Sequence, residues 1–220
     1  MKVKRFIVLG LGSFGQTLAL RLAQNGCRVT GVDLDERQVE AVKDQIHEAI
    51  VADVTDRAVL EQLMLDTADG VFISLGESIE KSILAALHVI DLKVHNVYVK
   101  GISREHGRIL SKLGVSRVIF PEMEIAVQTA DQMTLPNVLE SFQFDPDYSI
   151  VETVVPASLA GKTLAEAGLP RRFGLMVIGV KEALGERWEL MPPPDHVFGD
   201  EQFVLVIGRN ANINKFCQMQ

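Results

Sequence analysis

Cysteine is almost missing from this chain of 220 residues: Cys27 and Cys217 stand far apart and form no Cys-x-x-Cys pair. That excludes a disulfide scaffold and a zinc ribbon, and it fits a reducing, cytosolic setting. Aromatic residues are only 6% of the chain, against 47% hydrophobic residues in all. The core must therefore be aliphatic, as in a sheet-rich α/β interior. No apolar stretch approaches the roughly 18 residues of a membrane span, so no direct membrane insertion is expected. The short apolar run at the N-terminus ends in glycines without a cleavage pattern. It reads as a first strand, not a signal peptide. Beyond Lys2, Lys4 and Arg5 there is no basic run, and the formal net charge is −7. Nucleic acid and anionic membrane surfaces are thus not expected partners. Tandem repeats and low-complexity tracts are absent too. The catalytic inventory is equally thin: His47, His88, His95, His106 and His196 form no triad, metal pair or hydride-transfer acid. The chain reads as a non-enzyme.

What is present begins at residue 5. An apolar strand, Arg5-Phe-Ile-Val-Leu, feeds Gly10-Leu11-Gly12-Ser13-Phe14-Gly15, an amphipathic stretch follows, and a second strand ends in Asp33, 21 residues after Gly12. A Gly-x-Gly-x-x-Gly turn is weak evidence alone. With its strand, its helix and its acid in place it is a dinucleotide-type fingerprint. Gly10 permits the tight turn, Gly12 lets the backbone approach a pyrophosphate, and Gly15 lets the helix pack close to the strand. The free N–H groups and positive dipole end of the helix would hold the phosphates. Asp33 would accept from a ribose diol, which favours NAD(H), ADP or ATP over a 2′-phosphorylated ligand. Asp35 reads as a helix cap, leaving Asp33 free. Asp53, in Ala52-Asp-Val-Thr55, has two open roles: the border of the adenine, or the cap of the next helix. Ser74-Leu75-Gly76 falls on the same carboxyl edge.

Strands are expected near 4–9, 28–32, 48–51, 70–75, 95–99 and 117–119, with helices at 14–25, 35–45, 56–65, 78–91 and 104–113. Gly26 reads as the stop of the first helix. This alternation predicts a doubly wound parallel sheet of six strands, a Rossmann-like α/β fold. A further helix, 121–134, opens at Pro121 and ends at Leu135-Pro136-Asn137. Its stripe of Ile125, Ala126, Thr129 and Met133 comes after the sheet is complete, so it is expected to bury against a partner. Phe142 to Asp147 reads as a linker or edge. From Tyr148 the pattern becomes a small α+β module. Strands are expected at Ile150–Val155, Gly174–Val180, Arg187–Leu190 and Phe203–Gly208, with a short helix at Leu164–Ala167. The expected domains are 1–134, including the helix 121–134, and 135–220.

The combined order of features resembles one family: the cytosolic regulatory subunits of Ktr/Trk-type potassium transporters, built from an RCK domain (TrkA-N plus TrkA-C). The residues that carry it are Val8 to Gly15, Gly31-Val-Asp33, Ala52 to Thr55, Val97-Tyr-Val-Lys100, Leu113 to Glu122, Leu159 to Leu164, Phe173 to Ile178 and Phe203 to Gly208. The resemblance implies an adenine nucleotide at the glycine turn, with Asp33 on the ribose, Asp53 and Val54 beside the adenine, and Leu75 and Gly76 lining the cleft. It implies Lys100, His106 and Glu122 near the distal end of the nucleotide. Glu122 would help hold a divalent or sodium cation beside the phosphates. Two positions depart from the family. Many Ktr-type members have Arg where this chain has Ser13, and members that bind cyclic di-AMP often have Asn where it has Met176. The first departure weakens discrimination of ATP from ADP, and the second removes amide contacts to a cyclic dinucleotide.

The function so implied is a nucleotide-sensing regulatory subunit. It would form homodimers and an octameric ring, peripheral to the inner face of the cell membrane, and gate a membrane potassium-transporter subunit. The alternatives are a small NAD-dependent oxidoreductase and a nucleotide-binding module for another partner.

Overall fold

A computed structural model describes residues 3–76, 78–134, 137–183, 185 and 187–219, without the side chains of 131 and 132. Its first sheet contains β1 (Arg5–Leu9), β2 (Arg28–Asp33), β3 (Glu48–Val51), β4 (Gly70–Ile73), β5 (Val97–Lys100) and β6 (Arg117–Ile119). All pairs are parallel, in the order β3-β2-β1-β4-β5-β6. Order reverses next to β1, so the crevice at the carboxyl ends opens beside the glycine turn. Both faces are covered. Ile7 and Leu9 of β1 pack into one core with Val71, Ile73 and Val99, while Val8 between them packs into another with Leu11, Ala19 and Val29. Alternate residues of a strand point to opposite faces, so a continuous apolar run is what a two-sided burial requires.

The connecting helices are α1 (Ser13–Gln24), α2 (Glu36–Glu40), α3 (Arg57–Gln62), α4 (Ile79–Asp91) and α5 (Arg104–Leu113). At the end of α1, Gly26 takes φ +81°. Its N–H donates to the Ala23 carbonyl at 2.9 Å, and the Cys27 N–H donates to the Leu22 carbonyl at 3.1 Å. These two bonds are a Schellman closure, the stop expected at Gly26. Asp35 caps α2 as expected, its side chain accepting from the Arg37 N–H at 3.0 Å.

Two helices are shorter than expected. α2 stops at Glu40, not 45, and the chain continues in turns that still bury Val42 and bring Ile46 to 9% exposure. The apolar spacing there reported burial, not helix. α3 stops at Gln62, because Met64 turns left-handed at φ 47°. The carbonyls of Leu63 and Met64 accept from the Arg5 guanidinium at 3.0 and 2.9 Å, a tertiary contact invisible to local pattern.

The chain divides into two compact units, Met1–Pro121 and Glu122–Gln220. The division falls at the start of α6 (Pro121–Thr134), whose described side chains from Glu122 onward are exposed. The expected stop at Leu135-Pro136 lies outside the described residues. The second unit holds an antiparallel sheet of β7 (Val138–Asp145), β8 (Tyr148–Val154), β9 (Met176–Glu182), β10 (Glu189–Leu190) and β11 (Gln202–Arg209), in the order β10-β9-β11-β8-β7. Phe142–Asp145 belongs to the edge strand β7, and the turn expected from Asp-Pro-Asp joins it to β8. The Asp147 N–H donates to Asp145 Oδ1 there at 3.0 Å. Three helices complete the unit: α7 (Leu164–Ala167), α8 (Leu169–Phe173) and α9 (Asn210–Cys217). Neither α8 nor α9 was expected. α9 buries Ile213, Phe216 and Cys217, an i, i+3, i+4 pattern in only eight residues. α7 opens on a reciprocal cap, with Thr163 Oγ1 accepting from the Glu166 N–H and Glu166 Oε2 accepting from the Thr163 N–H.

Candidate nucleotide-binding cleft

A cleft of about 320 Å³ opens at the carboxyl edge of the first sheet. Three loops and one turn build it. Gly10 and Gly12 come from the turn after β1; Asp33, Leu34, Asp35 and Gln38 follow β2; Ala52, Asp53, Val54 and Thr55 follow β3; Ser74, Leu75, Gly76 and Lys81 follow β4.

The glycine turn is fixed from two sides. Gly10 has φ +96°, and a Cβ there would lie 2.1 Å from the Ser74 carbonyl oxygen. A Cβ on Gly15 would lie 1.9 Å from the Gly10 carbonyl oxygen. So β4, the turn and α1 meet at van der Waals distance only without side chains at these positions. Gly12 differs: a Cβ on it would meet nothing within 4 Å, because it faces the open cleft. Gly12 also occupies the cap position of α1 and offers no side-chain bond to the first-turn N–H groups. Those donors point where an anion would be held.

Asp33 also has a structural role. Its Oδ2 accepts from the Leu11 N–H at 2.6 Å and its Oδ1 from the Asp35 N–H at 2.9 Å. The carboxylate thus ties the glycine turn to the β2–α2 loop. Each carboxylate oxygen has a second lone pair, so the group still offers acceptors to the cleft. Asp53 does not cap α3; Asp56 does, accepting from the Ala58 N–H at 2.9 Å. Asp53 Oδ1 instead accepts from the Thr55 hydroxyl at 2.7 Å and the Thr55 N–H at 2.9 Å. The Thr55 bonds, hydroxyl first, hold the Asp53 carboxyl below its ordinary pKa, with a smaller contribution from the Lys81 charge.

Of the residues singled out from sequence, the cleft gathers Gly10, Gly12, Asp33, Asp53, Val54, Leu75 and Gly76. Leu11 is buried beneath the turn and contributes its N–H to Asp33. Ser13, Phe14 and Gly15 form the first turn of α1 and are not among the lining residues. Neither are Lys100, the last residue of β5, and His106 in α5. His106 is 1% exposed, its Nδ1 accepts from the Ile102 N–H at 3.3 Å, and burial pushes its pKa down. Glu122 lies on α6 in the second unit. Sequence reasoning missed Leu34, Asp35, Gln38, Ala52, Thr55 and Lys81 as cleft residues. All but Lys81 fall within five residues of a strand end, which was the available signal. Lys81 is set back on the first turn of α4, with no motif to mark it.

Comparison with known proteins extends beyond the cleft. The TrkA-N domain model matches residues 6–121 and the TrkA-C domain model residues 150–220. The Ktr system potassium uptake protein C of Bacillus subtilis (strain 168) is 32% identical over 97% of this chain and 96% of its own length. The Ktr system potassium uptake protein A of Vibrio alginolyticus is 34% identical over 87% of this chain and 86% of its own. Among solved structures, the GsuK RCK domain superposes with a TM-score of 0.68 at 21% identity, over 99% of this chain and 48% of that one. The GsuK channel bound to NAD does so with a TM-score of 0.52 at 17% identity, over 100% and 39%. The chain therefore spans less than half of those solved chains, and their likeness is one of fold. Identity above 30% along nearly the whole length is more: with its TrkA-N and TrkA-C domains in series, the chain belongs to the family of the Ktr system potassium uptake proteins.

Proposed function

We propose that the protein is a nucleotide-sensing regulatory subunit of a potassium uptake system, acting at the inner face of the cell membrane. The observation that carries this is the glycine-turn cleft set in a chain similar to a Ktr system protein over 97% of its length. The cleft takes an adenine nucleotide, NAD(H) or ADP/ATP, with the pyrophosphate at the α1 N-terminus and the ribose diol on Asp33. A channel of the same fold, GsuK, is bound to NAD. Homodimers form through α6, where Ile125, Val127 and Met133 are 61%, 59% and 82% exposed. The dimers assemble into a ring that meets the membrane potassium-transporter subunit. Lys100, His106 and Glu122 complete the distal end of the site in the assembly, with Glu122 beside a cation at the phosphates. Nucleotide binding acts by differential affinity for two states of the ring, the only way a ligand shifts such an equilibrium. The subunit carries out no chemistry on its ligand.

Mass spectrometry of the nucleotide that co-purifies with the protein tests the reading, together with Gly12→Val. A Cβ there meets no protein atom within 4 Å, so the fold should persist, yet the valine methyls reach into the space the pyrophosphate needs. Nucleotide should be lost and potassium-limited growth should fail in cells that depend on this subunit. A variant that retains wild-type binding would place the ligand elsewhere. Sustained turnover of NAD with an alcohol or hydroxy acid would replace regulation by oxidoreductase chemistry.

A further inference from the structure

The charged residues that line the cleft are unbalanced. Asp33, Asp35 and Asp53 line it, Asp35 being paired with Arg37 at 2.9 Å just outside the lining, and Lys81 is the one cation among the described lining residues. A dinucleotide or nucleoside polyphosphate brings further negative charge into this acidic edge. The α1 N-terminus offers N–H dipoles but no side-chain charge, since Ser13 opens that helix.

We propose that Lys81 is the cleft's phosphate-reading cation, the specificity-determining residue that admits an anionic ligand between three carboxylates. The proposal rests on the nucleotide reading above and deepens it. Three features carry it. The β4–α4 loop is pressed against the glycine turn, with the Ser74 carbonyl where a Gly10 Cβ would be. Lys81, in the first turn of the helix that follows this loop, lines the same cleft as Gly10 and Gly12. Its backbone is held in the first turn of the 13-residue helix α4, where the Ser78 hydroxyl accepts from the Lys81 N–H at 3.4 Å. Its side chain is exposed and makes no ion pair with a described residue, so the ammonium is available to an entering ligand. Without ligand it sits within electrostatic reach of Asp53. A phosphate competes with Asp53 for it, and the competition sets how strongly ligand charge is rewarded.

Calorimetry at one ionic strength with adenosine, AMP, ADP and NADH, on wild type, Lys81→Gln and Lys81→Arg, tests this. Lys81→Gln should leave adenosine within about twofold and weaken ADP and NADH about three- to tenfold, as loss of one partly screened charge pair does. Lys81→Arg should restore most of the loss, and added salt should shrink the gap between wild type and Lys81→Gln. Equal losses for adenosine and ADP, or no loss for either, would overturn the proposal while leaving the cleft reading intact. A wild type that binds none of the four ligands would overturn both.

Discussion

In the first sheet β1 is buried on both faces, Ile7 and Leu9 toward one core and Val8 toward the other. In the second, β8 and β11 alternate buried with half-buried residues along their length, and the edge strand β7 leaves Phe142 and Phe144 65% and 50% exposed. The difference is one of direction as much as of burial. Parallel strands all end at the same edge, so the loops after β1, β2, β3 and β4 converge and can share one ligand. Antiparallel strands end alternately at opposite edges and gather no such set of loops. Their concavities lie on faces and flanks, as in the α7–β9 groove lined by Leu164, Pro170, Arg171 and Met176.

The largest expected effect separates the two units. Phe216 is fully buried in the second core and packs edge-on against Phe173, 5.8 Å between ring centroids. Phe216→Ala should cost about 3–5 kcal/mol, a large share of the roughly 5–15 kcal/mol that holds a domain. Scanning calorimetry should show one transition lowered, while nucleotide affinity in the first unit changes less than about twofold. If ligand binding and both transitions fall together, the units fold as one body and the contrast between them has no energetic meaning.

The sequence made the first unit far more readable than the second, for physical reasons that particular residues show. Its six strands are short apolar runs, its turn needs glycine at residues 10 and 15, and Gly26 closes α1. All of these are local requirements. What failed was long-range. The Arg5 guanidinium, on β1, captures the carbonyls that end α3. Of the two roles left open for Asp53, the cap falls to Asp56, a choice local pattern did not decide. In the second unit β7 exists because β8 pairs with it; its alternation, Phe142-Gln-Phe144-Asp145, is too short beside Asp-Pro-Asp to tell a strand from a linker. In the cleft, Gly10, Gly12, Asp33, Asp53, Val54, Leu75 and Gly76 were legible because a motif marks them. Loop neighbours such as Leu34 and Gln38 carry no motif, and a lysine on a helix, like Lys81, looks the same whether it faces solvent or a ligand.

A smaller effect is expected at α6, the segment at which the two units divide. Ile125 is 61% exposed within a single chain. Ile125→Asp should therefore change monomer stability by less than about 0.5 kcal/mol. In a dimer formed through this helix it would bury an unpaired charge and weaken association by about 1–3 kcal/mol or more. Light scattering at micromolar concentration should show wild type as a dimer or larger and the variant shifted toward monomer. A monomeric wild type would remove the ring from the proposed mechanism.

The smallest effect sets one carboxylate of each unit against the other. Asp53 is held below its ordinary value of 3.8 by the Thr55 hydroxyl and N–H, and Glu166 below 4.5 by the Thr163 N–H and hydroxyl. Both folded pKa values are depressed, so both groups stabilise the fold above the unfolded value and lose that contribution as pH falls through the folded one. Stability should thus be insensitive to either group from pH 7 to 5. It should begin to fall below about 4.5 through Glu166 and below about 3.8 through Asp53. Both groups are exposed, so solvent screening keeps the Asp53 contribution to about a few tenths of a kcal/mol. Urea titrations of wild type, Asp53→Asn and Glu166→Gln between pH 7 and 3 would resolve it. Each variant's deficit should be flat near neutrality and shrink in acid. Nucleotide should then tell the carboxylates apart. Saturating ligand near the cleft should alter the acid response of Asp53 and leave that of Glu166 unchanged. A ligand that shifts both equally would couple the two units through the chain, and a deficit that grows in acid would reverse the assigned direction of the shift.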